Sequence, residues 1–299
     1  MDAVIVAYNS ARTLRACVEP LSHMASVRVR VVDNASPDGS LATLEGLDVD
    51  TVIAAANDGF AAGCNLGIAA TDAPYVLLLN PDARLTAKDL AALVDVLDAD
   101  PSVGIVGPQI LEDDGSLAYS LRRFPRRRST YAQALFLHRV WPRAPWTDEL
   151  IRDPAAYAAP GSFDWVSGAC MLIRRTALEQ VGGLDEQFFL YCEDMDLCAR
   201  VRAAGWDVRY QPGATVRHEG GASAPRETLL AIYARNRVIY ARKHDRRGAA
   251  PIEAAGVALG HLTHAITAAR QPGGTRGHLR ALAAAVRAPT GGGGRPKGI

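Results

Sequence analysis

The sequence predicts an α/β fold in which a mostly parallel central sheet is flanked by helices and followed by a C-terminal helical extension. Short apolar runs at residues 4–7 and 75–79 are typical of buried parallel strands. After the first run, Leu14, Val18 and Leu21 recur at helical spacing. Strands and helices that alternate in this way indicate right-handed βαβ units, which build a mostly parallel sheet.

The remaining elements follow the same pattern along the chain. Thr86, with Asp89 three residues later, resembles a capping box and begins a helix after the fourth strand. A glycine pair at residues 182–183 closes a short helix. We predict strands at residues 4–7, 27–32, 51–55, 75–79, 103–106, 163–174 and 208–216, and helices at residues 176–181, 193–204, 226–244 and 252–269.

These elements divide the chain into three predicted parts. Residues 1–225 form one large α/β domain, which is long enough to bury a core of its own. Residues 226–290 form the helical extension, because their apolar residues keep helical spacing and no further strand occurs. Residues 291–299 are rich in glycine and are expected to be a flexible tail.

Composition excludes several classes of protein. The 33 Lys and Arg residues nearly balance the 32 Asp and Glu residues, so the net charge is +1 and no nucleic acid partner is expected. Five cysteines without a C-x-x-C pair are typical of buried thiols in a reducing cytoplasm. No signal segment precedes the first strand, and no run reaches the roughly 18 apolar residues of a membrane span. We therefore expect a cytoplasmic location.

Polar side chains follow the predicted strands at the points where the strands end. In open α/β sheets, ligands bind at the carboxyl ends of the strands, so we expect a binding site along this edge. In chain order these side chains are Tyr8 and Asn9, Asp33 and Asn34, Asn57, and Asn80 with Asp82.

Asp82 and His218 are candidate metal ligands. A carboxylate directly after a buried strand can hold Mg²⁺ or Mn²⁺, which prefer oxygen ligands and bridge phosphates. His218 follows the last predicted strand and precedes a pair of glycines, a position that suits a further ligand. The alternatives are an ordinary turn at residues 80–82, because Asn, Pro and Asp all favour turns, and a structural histidine.

Asp194 is the candidate general base. It begins a predicted helix after an aromatic run at residues 188–191, and desolvation by such neighbours raises the pKa of a carboxyl toward a useful range. The alternative is that Glu193 and Asp194 only complement the helix dipole. Asp196 and Arg200 lie four residues apart and are predicted to form a surface pair.

A glycine-rich stretch at residues 57–67 lies between two predicted strands. It matches neither the dinucleotide-binding pattern nor the P-loop pattern. Because no glycine motif follows the first strand either, a Rossmann oxidoreductase is disfavoured.

The ordered set of these segments resembles the family 2 glycosyltransferases of the GT-A fold, in particular the bacterial rhamnosyltransferase branch. The resemblance covers about residues 2–223, and each segment is weak alone while the ordered set is specific. The segment at residues 141–146 also looks like the lipid-linked rhamnosyltransferases of actinobacterial cell-wall assembly. The matching segments are residues 4–10, 32–36, 57–67, 80–82, 165–169, 193–197 and 218–221.

The resemblance implies roles for individual residues. Asp194 would be the general base, and Asp82 would bind Mg²⁺ or Mn²⁺ with His218 as a further ligand. Many relatives carry Asp where this sequence has Asn80, so the motif here retains one carboxylate. The nucleotide-sugar donor would contact Tyr8, Asn9, Asp33, Asn34, Ser36, Asn57, Asn65 and Asn80, and the acceptor would contact Trp165, Ser167, Gly168, Ala169 and Glu193.

The implied reaction is inverting transfer of a sugar to a hydroxyl of a lipid-linked glycan. The metal would stabilise the leaving diphosphate, and a base on the opposite side would activate the hydroxyl. The resemblance favours dTDP-L-rhamnose as the donor, and UDP-hexoses are the alternative. A non-catalytic nucleotide-sugar-binding protein is a further alternative, although the presence of both Asp82 and Asp194 argues against it.

Two basic segments suggest contact with an anionic surface. The arginine run at residues 122–128 suits phosphates and anionic headgroups, and a polyprenyl-diphosphate-linked acceptor would carry such groups. The C-terminal segment has an apolar side that includes Leu262 and Ile266, followed by Arg270, Arg276 and further arginines. Such a segment can lie on the inner face of a membrane. The alternative is a helix packed on the catalytic domain.

Overall fold

A single sheet forms the centre of the computed structural model, which describes residues 1–220, 224–245, 248–267 and 274–288. Its inner strands are runs of Val, Ile and Leu, as expected for strands that are covered on both faces. The strands are β1 (Asp2–Ala7), β2 (Arg28–Asp33), β3 (Asp50–Ile53), β4 (Tyr75–Leu79), β5 (Ala83–Arg84), β6 (Val103–Leu111), β7 (Gly161–Ser162), β8 (Cys170–Arg174) and β9 (Asp207–His218).

The order of the nine strands is β3-β2-β1-β4-β8-β6-β9-β5, and β7 pairs with β9. Parallel pairing joins β1 to β2 and β4, β2 to β3, and β6 to β9. The strand β8 runs antiparallel between β4 and β6, so these two neighbours point the same way. Six strands therefore share one direction, and the predicted mostly parallel sheet is confirmed.

Helices cover both faces of the sheet. Side chains alternate along each strand, so Ile5 contributes to one core cluster and Val4 to the other. The helices are α1 (Leu14–Ser22), α2 (Phe60–Ala69), α3 (Ala87–Ala99), α4 (Arg127–Ala134), α5 (Leu137–Val140), α6 (Arg175–Val181), α7 (Glu193–Ala203), α8 (Arg226–His244), α9 (Ala249–Thr267) and α10 (Gly274–Arg287). The first core contains α1 and α3, and the second contains α2, α6 and α7.

Several local predictions are confirmed. The Thr86 hydroxyl and the Asp89 carboxylate form the predicted capping box at the start of α3. Gly182 adopts the left-handed conformation that ends α6 (φ 78°). The helix at 226–244 has the predicted bounds.

The strand predicted at residues 163–174 is wrong in its first half, because only Cys170–Arg174 is a strand. Side-chain bonds bend the preceding residues into a loop. The Asp164 carboxylate accepts the Phe124 N–H at 2.8 Å, and Trp165 Nε1 donates to the carbonyl of Arg123 at 3.2 Å. A turn from Ser167 to Cys170 completes the loop.

Asp196 and Arg200 form the predicted pair, but its predicted position on the surface is wrong, because Asp196 is fully buried. Its carboxylate accepts hydrogen bonds at 2.7 Å from Arg200 and also from Lys243 and His244 at the end of α8. The α8 helix covers this carboxylate, which sequence spacing alone placed on the surface. Charges that lose water in this way need several partners.

The C-terminal helices pack on one another and on the rest of the protein. Small side chains such as Ala234, Ala254 and Ala281 fill a core shared by α8, α9 and α10. Beneath it, Arg237 forms ion pairs with Glu149 at 2.6 Å and Glu253 at 2.7 Å, and all three side chains are buried. This network joins α8 and α9 to the segment that precedes β7.

Packing of this kind supports the alternative in which the extension covers the catalytic domain. Leu262 and Ile266 of α9 are nevertheless exposed. None of the described helices is long and apolar enough to span a membrane. Gly221, residues 268–273 with Arg270, and the tail predicted at residues 291–299 lie outside the described residues. The division into residues 1–225 and 226–290 stays a prediction.

Replacing Arg237 tests the buried network. Arg237→Ala should lower the free energy of unfolding by about 3–5 kcal/mol, because it leaves Glu149 and Glu253 buried without their positive charge. Arg280→Ala is the matched control, since it removes an exposed pair with Glu227 of the same helical unit and should cost about 0–1 kcal/mol. Urea denaturation measures both. Equal losses of unfolding free energy in the two variants would contradict the role given to the buried network.

Candidate active site

The carboxyl ends of the parallel strands gather the predicted site residues at one edge of the sheet. Ala7 at the end of β1 lies beside Asp33 at the end of β2. The strand β4 lies next to β1 across the sheet, and β8 begins beside the end of β4 and runs in the antiparallel direction. The N–H of Asn80 donates to the carbonyl of Ala169 at 3.0 Å. This bond joins the loop after β4 to the loop before β8.

One group of polar residues at this edge forms a hydrogen-bonded polar wall. The side-chain amide of Asn34 donates to the side chain of Asn57 and to the carbonyl of Gly59, both at 3.0 Å. The hydroxyl of Ser36 accepts the N–H of Asn9 at 3.3 Å. Asn9 has a left-handed backbone (φ 53°), which turns the chain sharply after β1. The structure thus brings Tyr8, Asn9, Asp33, Asn34, Ser36 and Asn57 together.

Asn65 does not join this group. Its amide donates to the carbonyl of Leu184 at 2.9 Å and to Glu186 at 3.1 Å, and its oxygen accepts the N–H of Leu184. The side chain is therefore used to hold the turn after α6 against α2. The glycine-rich composition around Asn65 contained no sign of this long-range contact.

Asp82, Asn80 and His218 form a second group. The carboxylate of Asp82 lies 3.2 Å from His218 Nε2, and the amide of Asn80 lies 3.3 Å from the same nitrogen. The short pairing of β5 with β9 sets Ala83 opposite His218 and holds the two loops together. Burial lowers the pKa of His218, but the hydrogen bond and the charge of Asp82 outweigh it, so the pKa is raised.

This donor set fits a divalent cation. A carboxylate oxygen and an imidazole nitrogen on one side of an ion suit Mn²⁺, and a phosphate ligand would complete the coordination. The described residues contain no cluster of three or more His, Cys, Asp or Glu side chains that would enclose a metal by themselves. Because a metal needs the neutral imidazole, binding should weaken as pH falls through the raised pKa of His218.

Asp194 lies at the start of α7, and two backbone groups orient its carboxylate. One oxygen accepts the N–H of Gly168 at 2.9 Å, and the other accepts the N–H of Met195 at 2.7 Å. A Cβ at Gly168 would meet the Asp194 side chain at 3.2 Å, which is closer than an ordinary contact. Burial raises the pKa of Asp194, and the two hydrogen bonds act against it. The predicted acceptor residues Gly168, Ser167 and Ala169 thus adjoin the predicted base.

Glu193 is buried next to Asp194, and its Oε2 has no hydrogen-bond partner among the described residues. Burial, followed by the charge of Asp194, raises the pKa of Glu193 well above its usual range. A protonated carboxyl at this position can donate a hydrogen bond to a bound hydroxyl.

Asn236 of α8 is a site residue that the sequence reasoning missed. Tyr191 and Cys192 have left-handed backbones (φ 69° and 71°). Residues other than glycine rarely adopt this conformation, so surrounding contacts must stabilise it. The buried Asn236 amide supplies it by donating to the carbonyls of Leu190 and Tyr191 at 2.9 and 3.0 Å. Asn236 therefore positions the turn that presents Glu193 and Asp194. Its 45-residue distance along the chain hid this contact.

The arrangement of this sheet and its helices is that of the GT-A fold. The mannosyltransferase PcManGT from Pyrobaculum calidifontis, solved with GDP-Man and Mn²⁺, matches 96% of this chain and 86% of its own with a TM-score of 0.55 and 18% identity. TarS from S. aureus (residues 1–349) matches 96% of this chain and 80% of its own with a TM-score of 0.55 and 12% identity. The predicted GT-A fold is confirmed.

The chain belongs to glycosyltransferase family 2. The family model described as "Glycosyltransferase like family 2" matches residues 1–241. An N-acetylglucosaminyl-diphospho-decaprenol L-rhamnosyltransferase of Mycobacterium tuberculosis is 33% identical over 261 residues, which cover 82% of this chain and 84% of the relative. Rhamnosyltransferase WbbL of Escherichia coli is 30% identical over 47% of this chain and 50% of its own length. The protein is a glycosyltransferase, and its resemblance to the rhamnosyltransferase branch is confirmed.

The electrostatic coupling of Asp82 and His218 can be tested without substrate. Asp82→Asn should lower the pKa of His218 relative to the unmodified protein, because the opposing charge is lost and burial remains. An NMR titration of the imidazole measures this pKa. Asp95→Asn, which alters an exposed carboxylate of α3, is the control and should leave it unchanged. An unaltered pKa in the Asp82 variant would rule out the contact.

Proposed function

We propose that this glycosyltransferase transfers L-rhamnose from dTDP-L-rhamnose to a hydroxyl of a lipid-linked glycan, with inversion at the anomeric carbon. One observation carries the proposal: the Asn80–Ala169 hydrogen bond holds the loop of Asp82 beside the loop at residues 167–169, whose Gly168 N–H donates to Asp194. The rhamnosyl donor and the lipid-linked acceptor are supported by the relative that is named for both.

The donor would lie along the polar wall at the ends of β1 and β2. Tyr8 and Asn9 would contact the base, and Asp33 at the end of β2 would accept a hydrogen bond from the 3′-hydroxyl of the deoxyribose. Asn34 and Asn57 would hold the wall rigid through their mutual hydrogen bond. Asn65 is left out of this group because the turn at Leu184 occupies its amide.

Asp82 and His218 would hold the Mg²⁺ or Mn²⁺ ion, and the Asn80 amide beside His218 Nε2 would give up its contact with that nitrogen when the ion binds. When bound, the ion would supply positive charge to the leaving diphosphate. With one carboxylate and one imidazole, the protein offers fewer charged ligands than a motif with two carboxylates. We therefore expect donor and metal to bind together, because the diphosphate supplies the remaining ligands.

Asp194 would act as the general base. Each of its oxygens accepts one backbone N–H and keeps a second acceptor site, so one oxygen can take the proton of the acceptor hydroxyl as the hydroxyl oxygen attacks the anomeric carbon. The bond from that carbon to the diphosphate breaks on the opposite side, which inverts the configuration. Glu193, Trp165 and the loop at residues 167–169 would hold the acceptor.

Two alternatives remain distinct from this proposal. A UDP-hexose donor would need the same metal and base, so only a panel of nucleotide sugars separates the two donors. A non-catalytic sugar-nucleotide-binding protein would bind the donor without forming a product.

Transfer requires an ionised base. Because the pKa of Asp194 is raised, transfer should be lost at a higher pH, as the pH falls, than with an ordinary Asp.

We also propose that the protein acts in the cytoplasm, at the inner face of the cell membrane. The exposed apolar residues Leu262 and Ile266 of α9, with Leu279 of α10, would contact lipid while the opposite side of these helices packs on α8. A polyprenyl-linked acceptor would be reached from such a position.

Asp194→Asn tests the general base. We expect donor binding to persist while transfer falls by about 10²–10⁴-fold, because the amide cannot take a proton. Product analysis by mass spectrometry measures transfer, and calorimetry measures donor binding. An Asn side chain at this position keeps one of the two hydrogen bonds from backbone N–H groups and loses the other. The melting temperature of the variant must therefore be measured to show that it remains folded. Transfer at close to the unmodified rate would move the base to Glu193, which Glu193→Gln would test.

Asp82→Ala tests the metal site. The Mn²⁺ concentration for half-maximal transfer should rise at least about tenfold, since a charged ligand is lost and the neighbouring imidazole remains. Asp95→Ala, which removes an exposed carboxylate of α3, serves as the control and should keep the original metal dependence. Activity that survives both Asp82→Ala and excess EDTA would rule out metal assistance.

A further inference from the structure

A cleft of about 350 Å³ lies outside the group formed by Asp82, His218 and Asp194. It is bounded by the segments at residues 122–129, 145–151 and 162–164, so it adjoins the predicted acceptor loop. The cleft is lined by an unusual number of arginines, namely Arg122, Arg123, Arg126, Arg128 and Arg202. We call it the arginine cleft.

The carboxylates that line the arginine cleft are bonded to other groups. Asp148 is paired with Arg152 at 3.1 Å, and Asp164 accepts the N–H of Phe124 at 2.8 Å. Glu149 forms two hydrogen bonds to the buried Arg237, at 2.6 and 2.8 Å. Asp148 and Glu149 thus have positive partners other than the arginines of the cleft, and Asp164 is held by a backbone N–H.

Most of the arginines, in contrast, form no ion pair within the described residues. There, Arg123, Arg126 and Arg128 lie within ion-pair distance of no carboxylate. Arg122 lies over the ring of Trp165 at 5.4 Å. Of these five arginines, Arg202 is paired in the described part of the chain, with Asp207. The cleft therefore presents several guanidinium groups that can bind an anion with more than one charge.

The arginine cleft is connected to the catalytic carboxylate through the acceptor loop. Trp165 bonds to the carbonyl of Arg123, and Gly168, three residues later, bonds to Asp194. Three residues span at most about 11 Å. Burial raises the pKa of Asp194 and the charge of Arg122 opposes it, so the two side chains also interact electrostatically. The loop of residues 165–168 thus joins the wall of the cleft to Asp194.

We propose that the arginine cleft binds the diphosphate group of the acceptor, which places the attached sugar against Asp194. This inference rests on the proposed function and extends it, because it separates the acceptor diphosphate from the donor diphosphate near Asp82. Arginine forks match phosphate oxygens in two-point hydrogen bonds, and such geometry fixes the direction of the ligand as well as its charge.

The side chains beside the cleft also suit a prenyl chain. Trp146 lines the cleft and is 41% exposed, and Trp141 beside it is 52% exposed. Their ring centroids are 6.1 Å apart. Tryptophan has an apolar ring with one polar group and is favoured at the boundary of lipid and water. The lipid end of the acceptor would leave the cleft along these two rings.

Single arginine replacements provide the test, and the chain contains a matched control. Arg126→Ala and Arg128→Ala each remove a residue that lines the cleft, whereas Arg127→Ala removes an exposed arginine of the same run that does not line it. Calorimetry with farnesyl diphosphate as the probe should give a Kd about 10–100-fold higher for the two cleft variants. Arg127→Ala should stay within about twofold, and dTDP should bind all variants equally.

Three outcomes would overturn the proposal. Equal weakening by Arg127→Ala would mean that general charge attracts the probe. Loss of dTDP binding in the cleft variants would assign the arginines to the donor. Unchanged farnesyl diphosphate binding, with loss of binding to phosphatidylglycerol vesicles, would assign them to lipid headgroups. Melting temperatures of the variants report whether each remains folded.

Transfer assays separate this proposal from the proposed function. With a prenyl-diphosphate-linked N-acetylglucosamine acceptor, the cleft variants should show a raised KM and an unchanged kcat, and with an alkyl glycoside of the same sugar they should match the unmodified protein. Equal losses on both acceptors would contradict a diphosphate site. If the unmodified protein binds farnesyl diphosphate through the cleft yet transfers no sugar, the proposed function fails and the diphosphate site stands.

Discussion

The antiparallel pairing of β4 with β8 is the constraint on which the candidate site depends. Its register sets Leu79 opposite Cys170, and the Asn80–Ala169 hydrogen bond extends the ladder by one more position. Because of this register, the loop with Asp82 and the loop with Gly168 leave the sheet side by side. Gly168 then orients Asp194, so a single ladder relates the proposed metal ligands to the proposed general base. A shift of one residue would turn every side chain of β8 to the opposite face.

A second constraint comes from outside the sheet. The turn at Tyr191 and Cys192 has an unfavourable backbone, and Asn236 of α8 holds it. The end of the same helix covers Asp196 with Lys243 and His244. On the other side, Gly59 allows the start of α2 to lie against Phe189, where a Cβ would meet the Phe189 carbonyl at 2.4 Å. The turn that presents Asp194 is therefore held both by the start of α2 and by the C-terminal helices.

Sequence reasoning succeeded where local rules decide the structure. The apolar runs of β1 and β4, the capping box of α3 and the bounds of α8 depend on residues close in the chain, and all were predicted. The positions of Asp33, Asn57 and Asp82 at one sheet edge also followed, because parallel strands end together.

The errors have one physical cause, which is contact between residues far apart in the chain. Residues 163–169 alternate as a strand does, yet Asp164 and Trp165 bond to Phe124 and Arg123 and form a loop instead. Asp196 has surface spacing, yet α8 buries it. The arginine run was predicted to suit phosphates and anionic headgroups, but its spacing did not indicate that Arg126 and Arg128 line a cleft and that Arg127 does not. Such divisions depend on tertiary packing, which spacing does not encode.

The central claim is that the two carboxylates act on opposite sides of one anomeric carbon. The most direct measurement is NMR of the product formed from dTDP-L-rhamnose and a prenyl-diphosphate-linked N-acetylglucosamine. A single displacement predicts a rhamnoside whose anomeric configuration is opposite to that of the donor. A product with retained configuration would contradict the single displacement assigned to Asp194, and the absence of rhamnosyl product alongside transfer from a UDP-hexose would contradict the donor.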